Sequence, residues 1–137
     1  MLGEKLGEFQ GKVTGQRVLP AEGGSPKVET SFEITGTILG LDATMLGTYW
    51  SVVQPDGMLY GECPQQGVIM TREGDMGTWT GSGVGRFTGQ GSAVSFRGIL
   101  YFRTASAKLA RLNGMAVLHE WEVDEHGNAH TPFWEWK

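Results

Sequence analysis

The sequence predicts an all-β fold, a single antiparallel up-and-down β-barrel of eight or nine strands with one short helical connector near residues 106–113. Three observations predict it. Apolar and polar residues alternate with period 2 along most of the chain. Turn signals recur at short spacing. The 22 glycines among 137 residues sit between Trp, Phe, Val and Thr, which is strand composition and not low complexity.

Alternation places strands at about 8–19, 27–40, 43–54, 58–63, 67–73, 76–88, 93–104, 114–125 and 129–137. Pro55-Asp56-Gly57, Glu73-Gly74-Asp75 and Glu125 to Asn128 are hairpin turns that need positive φ, and Ala21 to Pro26 is a looser loop. Ser106 to Gly114 is the one helical stretch. Ser106 caps its start, Leu109 and Leu112 share a face, and Asn113-Gly114 ends it. Consecutive hairpins favour closure into a barrel, because closure removes the edges that long strands otherwise expose. Nothing in the sequence marks a second domain, so one domain spanning 1–137 is expected.

Composition excludes several function classes. The formal charge of −4 is modest and its signs are interspersed, so no basic run offers nucleic-acid phosphates a surface. One cysteine, Cys63, makes no disulfide framework and no cysteine zinc site. The N-terminal "MLGEKLGEFQGK" lacks the apolar run of a secretory signal, and no stretch reaches the ~20 apolar residues of a membrane-spanning helix. A cytoplasmic protein with no nucleic-acid or membrane partner is the expectation.

The segment "GTWTGSGVGRFTGQG", Gly77 to Gly91, holds six glycines in fifteen residues. It is not a dinucleotide fingerprint, because Arg86 stands where the last glycine belongs and a strand follows instead of a helix. The Gly-Lys-Ser/Thr of a P-loop is absent, and no other cofactor motif is present, so no cofactor is expected. As a strand, it turns Trp79, Gly81, Gly83, Gly85 and Phe87 inward and Thr78, Thr80, Ser82 and Arg86 outward. Inward glycines serve curvature or leave room for a ligand.

Register extends this reading. A two-residue loop at Gly74-Asp75 sets Met70 opposite Trp79 and leaves Ile69 and Thr71 outside. An even loop at Gly89–Gly91 turns Val94, Phe96, Gly98, Leu100 and Phe102 inward, whereas an odd one turns Arg97, Tyr101 and Arg103 inward; the even loop keeps the apolar faces together. With His126-Gly127 as the last turn, Val117, His119, Trp121 and Val123 face inward, and so do Trp136, Trp134, Pro132 and His130. On the other face, Glu120 and Glu122 meet Arg97 and Arg103. Cys63 falls beside Trp50, Val52 and Leu59 as a buried, inert thiol. The alternation leaves the facing of Glu29, Glu33 and Glu62 open.

Met70, Trp79, His119, Trp121, Trp134 and Trp136 thus form a candidate ligand-binding wall with His119 as its polar handle. The plainer reading of the same residues is an aromatic core around a neutral histidine. His119 is also the one candidate catalytic base, although no carboxylate is expected on its face. Two histidines without an inward carboxylate make no metal site.

The hairpin series "GTYWSVVQPDGMLYGE", "GVIMTREGDMGTWTGSGVGRFTG" and "AVSFRGILYFRT" resembles small bacterial barrels of the allene oxide cyclase-like, calycin-type kind, over about residues 30–125. The likeness is one of strand layout. It implies a barrel and, by analogy with characterised members, a binder or a cofactor-free cyclase of hydrophobic molecules; no catalytic residue of those cyclases matches a position here. Three functions follow as expectations: a lumen for a small apolar or aromatic ligand, a cofactor-independent isomerase or cyclase, or a structural homo-oligomer built on outward Ile69, Ile99, Tyr101 and Phe133.

Overall fold

The computed structural model describes residues 1–137, and its eight strands close into one antiparallel barrel. The strands are β1 (Leu2–Glu22), β2 (Ser25–Ile38), β3 (Leu41–Val53), β4 (Leu59–Thr71), β5 (Met76–Phe87), β6 (Val94–Thr104), β7 (Val117–Val123) and β8 (Asn128–Trp136). Each pairs with its sequence neighbours, and β8 returns to β1, with Gly7 opposite Phe133 and Lys12 opposite Asn128. Phe9 and Phe133 meet across this closing seam, ring centroids 5.6 Å apart, and both are buried.

The strand count is eight because segments 58–63 and 67–73 belong to one strand. Pro64, Gln65 and Gln66 bulge out of β4 between Cys63, which faces Gly81, and Gly67, which faces Trp79. Proline and a positive φ of 54° at Gln65 break the ladder without ending the strand. The Thr80 hydroxyl holds the bulge, donating to the Cys63 carbonyl (2.9 Å) and accepting the Gln65 N–H (3.3 Å). β1 begins earlier than its alternation suggests, at Leu2, because β8 pairs with its irregular first residues.

Three hairpins share one loop. Pro55-Asp56-Gly57, Arg72-Glu73-Gly74 and Glu125-His126-Gly127 each span three residues, with the strands rejoined by backbone bonds Gln54–Met58, Thr71–Asp75 and Asp124–Asn128. The last residue of each is a glycine with φ of 86°, 98° or 82°, a left-handed conformation that completes the turn. The turn residues are as the sequence predicts, but the loops are odd, not even, and one residue of register reverses every side chain of the strand that follows. Ile69 and Thr71 therefore face the interior, and Met70 lies outside opposite exposed Met76. In β8 the inward residues are Ala129, Thr131 and Phe133, while His130, Pro132 and Trp134 face out. Trp50 and Val52 likewise stand on the outer wall, with the Lys27 ammonium 4.3 Å from the Trp50 ring centre.

The β5–β6 loop, Gly89 to Ser92, is even, and the expected inward set of Val94, Phe96, Gly98, Leu100 and Phe102 holds. Val117, His119, Trp121 and Val123 follow from it on β7.

One end of the barrel is plugged. Ala107–Leu112 forms a short 3-10 helix whose Leu109 and Leu112 are fully buried. Ser106 precedes it as expected, but its hydroxyl donates to Asp75 Oδ1 (2.6 Å) instead of capping the helix, which ties the plug to the β4–β5 loop. At the other end, β1 outruns β8 beyond Lys12 and keeps only β2 as a partner. Pro20 and the charges of Arg17 and Glu22 guard this free edge against pairing with another chain.

Candidate functional site

The glycine-rich strand β5 shapes the interior, and most of the space its glycines leave is taken by neighbouring side chains. A methyl group placed on Gly85 would lie 2.7 Å from the Phe96 ring, and one on Gly81 would lie 2.5 Å from Leu100 Cδ2. On β4, Gly67 is covered by the Trp79 indole, and on β3 beyond it Gly47 lies under Phe32 and Trp79. Glycine thus makes room chiefly for aromatic rings, in the manner of a ring covering a strand glycine.

Packing is incomplete at one level. Where Gly61 pairs with Gly83 and Cys63 with Gly81, the wall has few side chains, and a cavity opens in the barrel's middle. It leaves about 70 Å³ for the centres of water-sized molecules, enough for roughly five waters. Phe32, Tyr49, Trp79, Phe96, Trp121 and Phe133 supply the aromatic part of its wall. Trp121 lies against Phe32 with centroids 4.6 Å apart and meets Tyr49 edge-on at 6.1 Å.

The Trp121 indole donates to the Tyr49 hydroxyl (3.2 Å). Burial raises the Tyr49 pKa above the usual phenol value, so the hydroxyl is neutral. Removing it with Tyr49→Phe orphans a buried N–H, and a loss of about 1 kcal/mol is expected in urea denaturation.

His119 projects from β7 into the same cavity, opposite Gly98 on β6 and Phe133 on β8. Protein encloses most of the ring, which lines the cavity. Burial brings its pKa down to about 4; the Glu120 backbone opposes that shift, and the Arg97 charge adds to it slightly. His119 is therefore neutral at physiological pH, with one N–H and one lone pair. No carboxylate reaches it. Glu29 pairs with Arg17 outside (3.5 Å), Glu33 is exposed, and Glu62 accepts the Tyr60 hydroxyl (2.6 Å) on the outer wall. A general base needs an orienting partner and a pKa near the working pH, and His119 has neither.

The candidate residues therefore divide. Trp79, His119 and Trp121 share the cavity wall. Met70, Trp134 and Trp136 do not: Met70 and Trp134 stand on the outer face, and Trp136 is half exposed near the chain's end, all through the odd loops. His130 is outside as well, paired with Glu8. Tyr49, Phe32 and Thr131 belong to the site unforeseen, although the period-2 phase of Met45-Gly47-Tyr49 was visible in the sequence.

Cys63 also lines the cavity, and burial raises its pKa, which leaves an unreactive thiol. Arg97 meets Glu122 (2.6 Å) and Glu120 (3.8 Å) outside, whereas Arg103 forms no ion pair. Of the expected outer apolar patch only Ile99 and Tyr101 remain, because Ile69 and Phe133 are buried. No group of three His, Cys, Asp or Glu side chains is placed to hold a metal ion, and no helix is long and apolar enough to cross a membrane.

Fold and interior together define a small closed β-barrel with an apolar-walled cavity. Three solved structures share its shape, each with a TM-score of 0.80. A conserved protein of unknown function from Rhodopseudomonas palustris is 10% identical, with 98% of this chain and 97% of that chain aligned. A protein of unknown function from Clostridium acetobutylicum is 14% identical over 98% of each. A β-barrel-like protein from Acinetobacter baumannii is 14% identical over 99% of this chain and 96% of its own. At such identity the likeness shows the fold alone. No protein-family model matches the chain, and neither does any curated protein.

Proposed function

We propose that the barrel binds a small apolar or aromatic molecule in its lumen, between Trp79 and Trp121 and beside His119. The observation that carries this reading is the cavity itself. Protein interiors pack to crystal-like density with few voids larger than a water, yet this core keeps about 70 Å³ among six aromatic rings. Apolar walls with a few placed polar groups are the usual make-up of a small-molecule site. The calycin-type likeness of the hairpins points the same way, since barrels of that kind include binders of hydrophobic molecules. A cyclase or isomerase has less support, because no acid meets His119.

Titration with a panel of uncharged hydrophobic compounds, read by tryptophan fluorescence, tests the proposal, because Trp79 and Trp121 line the cavity. A saturable change is expected, lost in Cys63→Leu, which extends a larger side chain into the same space. Absence of saturable binding across the panel, by fluorescence and by NMR shifts of the folded protein, overturns it.

A further inference from the structure

Resting on the lumen-binding reading, we propose that the ligand is an uncharged, single-ring molecule bearing an oxygen that accepts a hydrogen bond, with phenol as its simplest representative. Two polar atoms of the cavity residues are left without partners. Only two buried side-chain atoms in the barrel have none, Trp79 Nε1 and Thr131 Oγ1, and both belong to residues lining this one cavity. Most buried polar groups in folded proteins are paired, so two orphans on one wall are a concentration that calls for a reason. An indole N–H can only donate, while the Thr131 hydroxyl and the neutral His119 imidazole can donate or accept. Trp79 Nε1 lies over Gly67 at the cavity's edge, so the Thr131 hydroxyl and the His119 imidazole are the groups set to meet a ligand, and a hydroxyl oxygen complements both.

Charge is excluded by the surroundings. Neither ion-paired arginine nor acid faces inward: Arg97 is held outside by Glu122, and the Glu62 carboxylate is taken by Tyr60. His119 is neutral, and Glu62, which also borders the cavity, turns its carboxylate to the Tyr60 hydroxyl, so an anion finds no counter-charge in the wall, and stripping an ion of water without a partner is costly. The volume, about 70 Å³, is about half that of a cavity known to take up benzene, so it limits the ligand to a single ring that the wall must yield to admit.

Calorimetric titration of benzene, phenol and benzoate at pH 7, with the wild type and the His119→Leu/Thr131→Val double variant, tests the assignment. Phenol is expected to bind roughly tenfold tighter than benzene to the wild type, and benzoate not measurably. In the double variant the preference of phenol over benzene falls below about threefold, the ratio being the readout whatever the change in benzene affinity itself. Thr131→Val exchanges a partnerless hydroxyl for a methyl group of the same shape, which favours folding, and the wild-type comparison stands without the double variant. Benzene binding as tightly as phenol, benzoate binding, or a phenol preference unchanged in the double variant overturns this inference and leaves the lumen-binding reading intact. No saturable binding of any of the three overturns this inference, and the hydrophobic panel then decides whether the broader reading falls too.

Discussion

Lowering the pH from 6.5 to 4 destabilises the barrel by about 3 kcal/mol through His119 alone, and His119→Leu removes that loss. In the unfolded chain the imidazole titrates near its ordinary 6.5, whereas burial holds it at about 4 in the barrel. Above pH 6.5 the ring is neutral in both states and contributes no difference. Between 6.5 and 4 the unfolded chain takes up a proton that the folded one refuses, and stability falls by about 1.4 kcal/mol per pH unit. Below 4 both states carry the proton and the loss is complete. The Glu8 carboxyl, lowered by the Lys5 and His130 contacts, loses its contribution only as pH falls below the ordinary carboxylate range. Over the interval from 6.5 to 4.5 the difference between the wild type and His119→Leu isolates His119. Urea midpoints across it should slope for the wild type and stay nearly flat for His119→Leu; a flat wild-type profile refutes the neutral, buried imidazole.

The same histidine shows how far sequence carries. Its inward facing was legible because an even loop at Gly89 to Ser92 and a strict alternation through β6 and β7 fix one phase. Barrel class, plug and turn glycines were legible for like reasons, each resting on local chemistry: period 2, a short leucine pair, positive φ. Register across the Gly57, Gly74 and Gly127 turns was not. A glycine in left-handed conformation closes a two-residue loop and a three-residue loop alike, so residue type at the turn leaves parity unset. That one ambiguity moved Met70, Trp134 and Trp136 from the wall to the outside and brought Thr131 and Phe133 in. The β4 bulge added a second obstacle, because Pro64 reads as a strand break until Thr80 is seen to bridge it. The cavity depends on three-dimensional packing between non-adjacent strands, which no local pattern encodes.

Gly67→Ala is expected to destabilise the protein by about 3 kcal/mol, the upper range for forcing atoms into a filled core, and by under about 1 kcal/mol when Trp79 is already leucine. Gly67 and Trp79 are directly opposed on β4 and β5, and the indole lies over the glycine so closely that any Cβ would overlap the ring. The clash is with a side chain, not with backbone, which is why a smaller partner relieves it. Gly47, the cross-strand partner of Gly67 on β3, has Trp79 Cζ2 2.8 Å from where its Cβ would stand, so the indole lies across both glycines. Trp79→Leu alone opens space and loses packing, but it abolishes the penalty of the second change, and the resulting coupling of roughly 2 kcal/mol is measurable by denaturant titration of the four proteins. Additive losses would mean that the indole is not what denies Gly67 a side chain. A wall built by one ring on two glycines also fixes the level of the void: at Gly47 and Gly67 the indole fills the room that the missing side chains leave, and the cavity opens further along β4 and β5, where Gly61 pairs with Gly83 and Cys63 with Gly81.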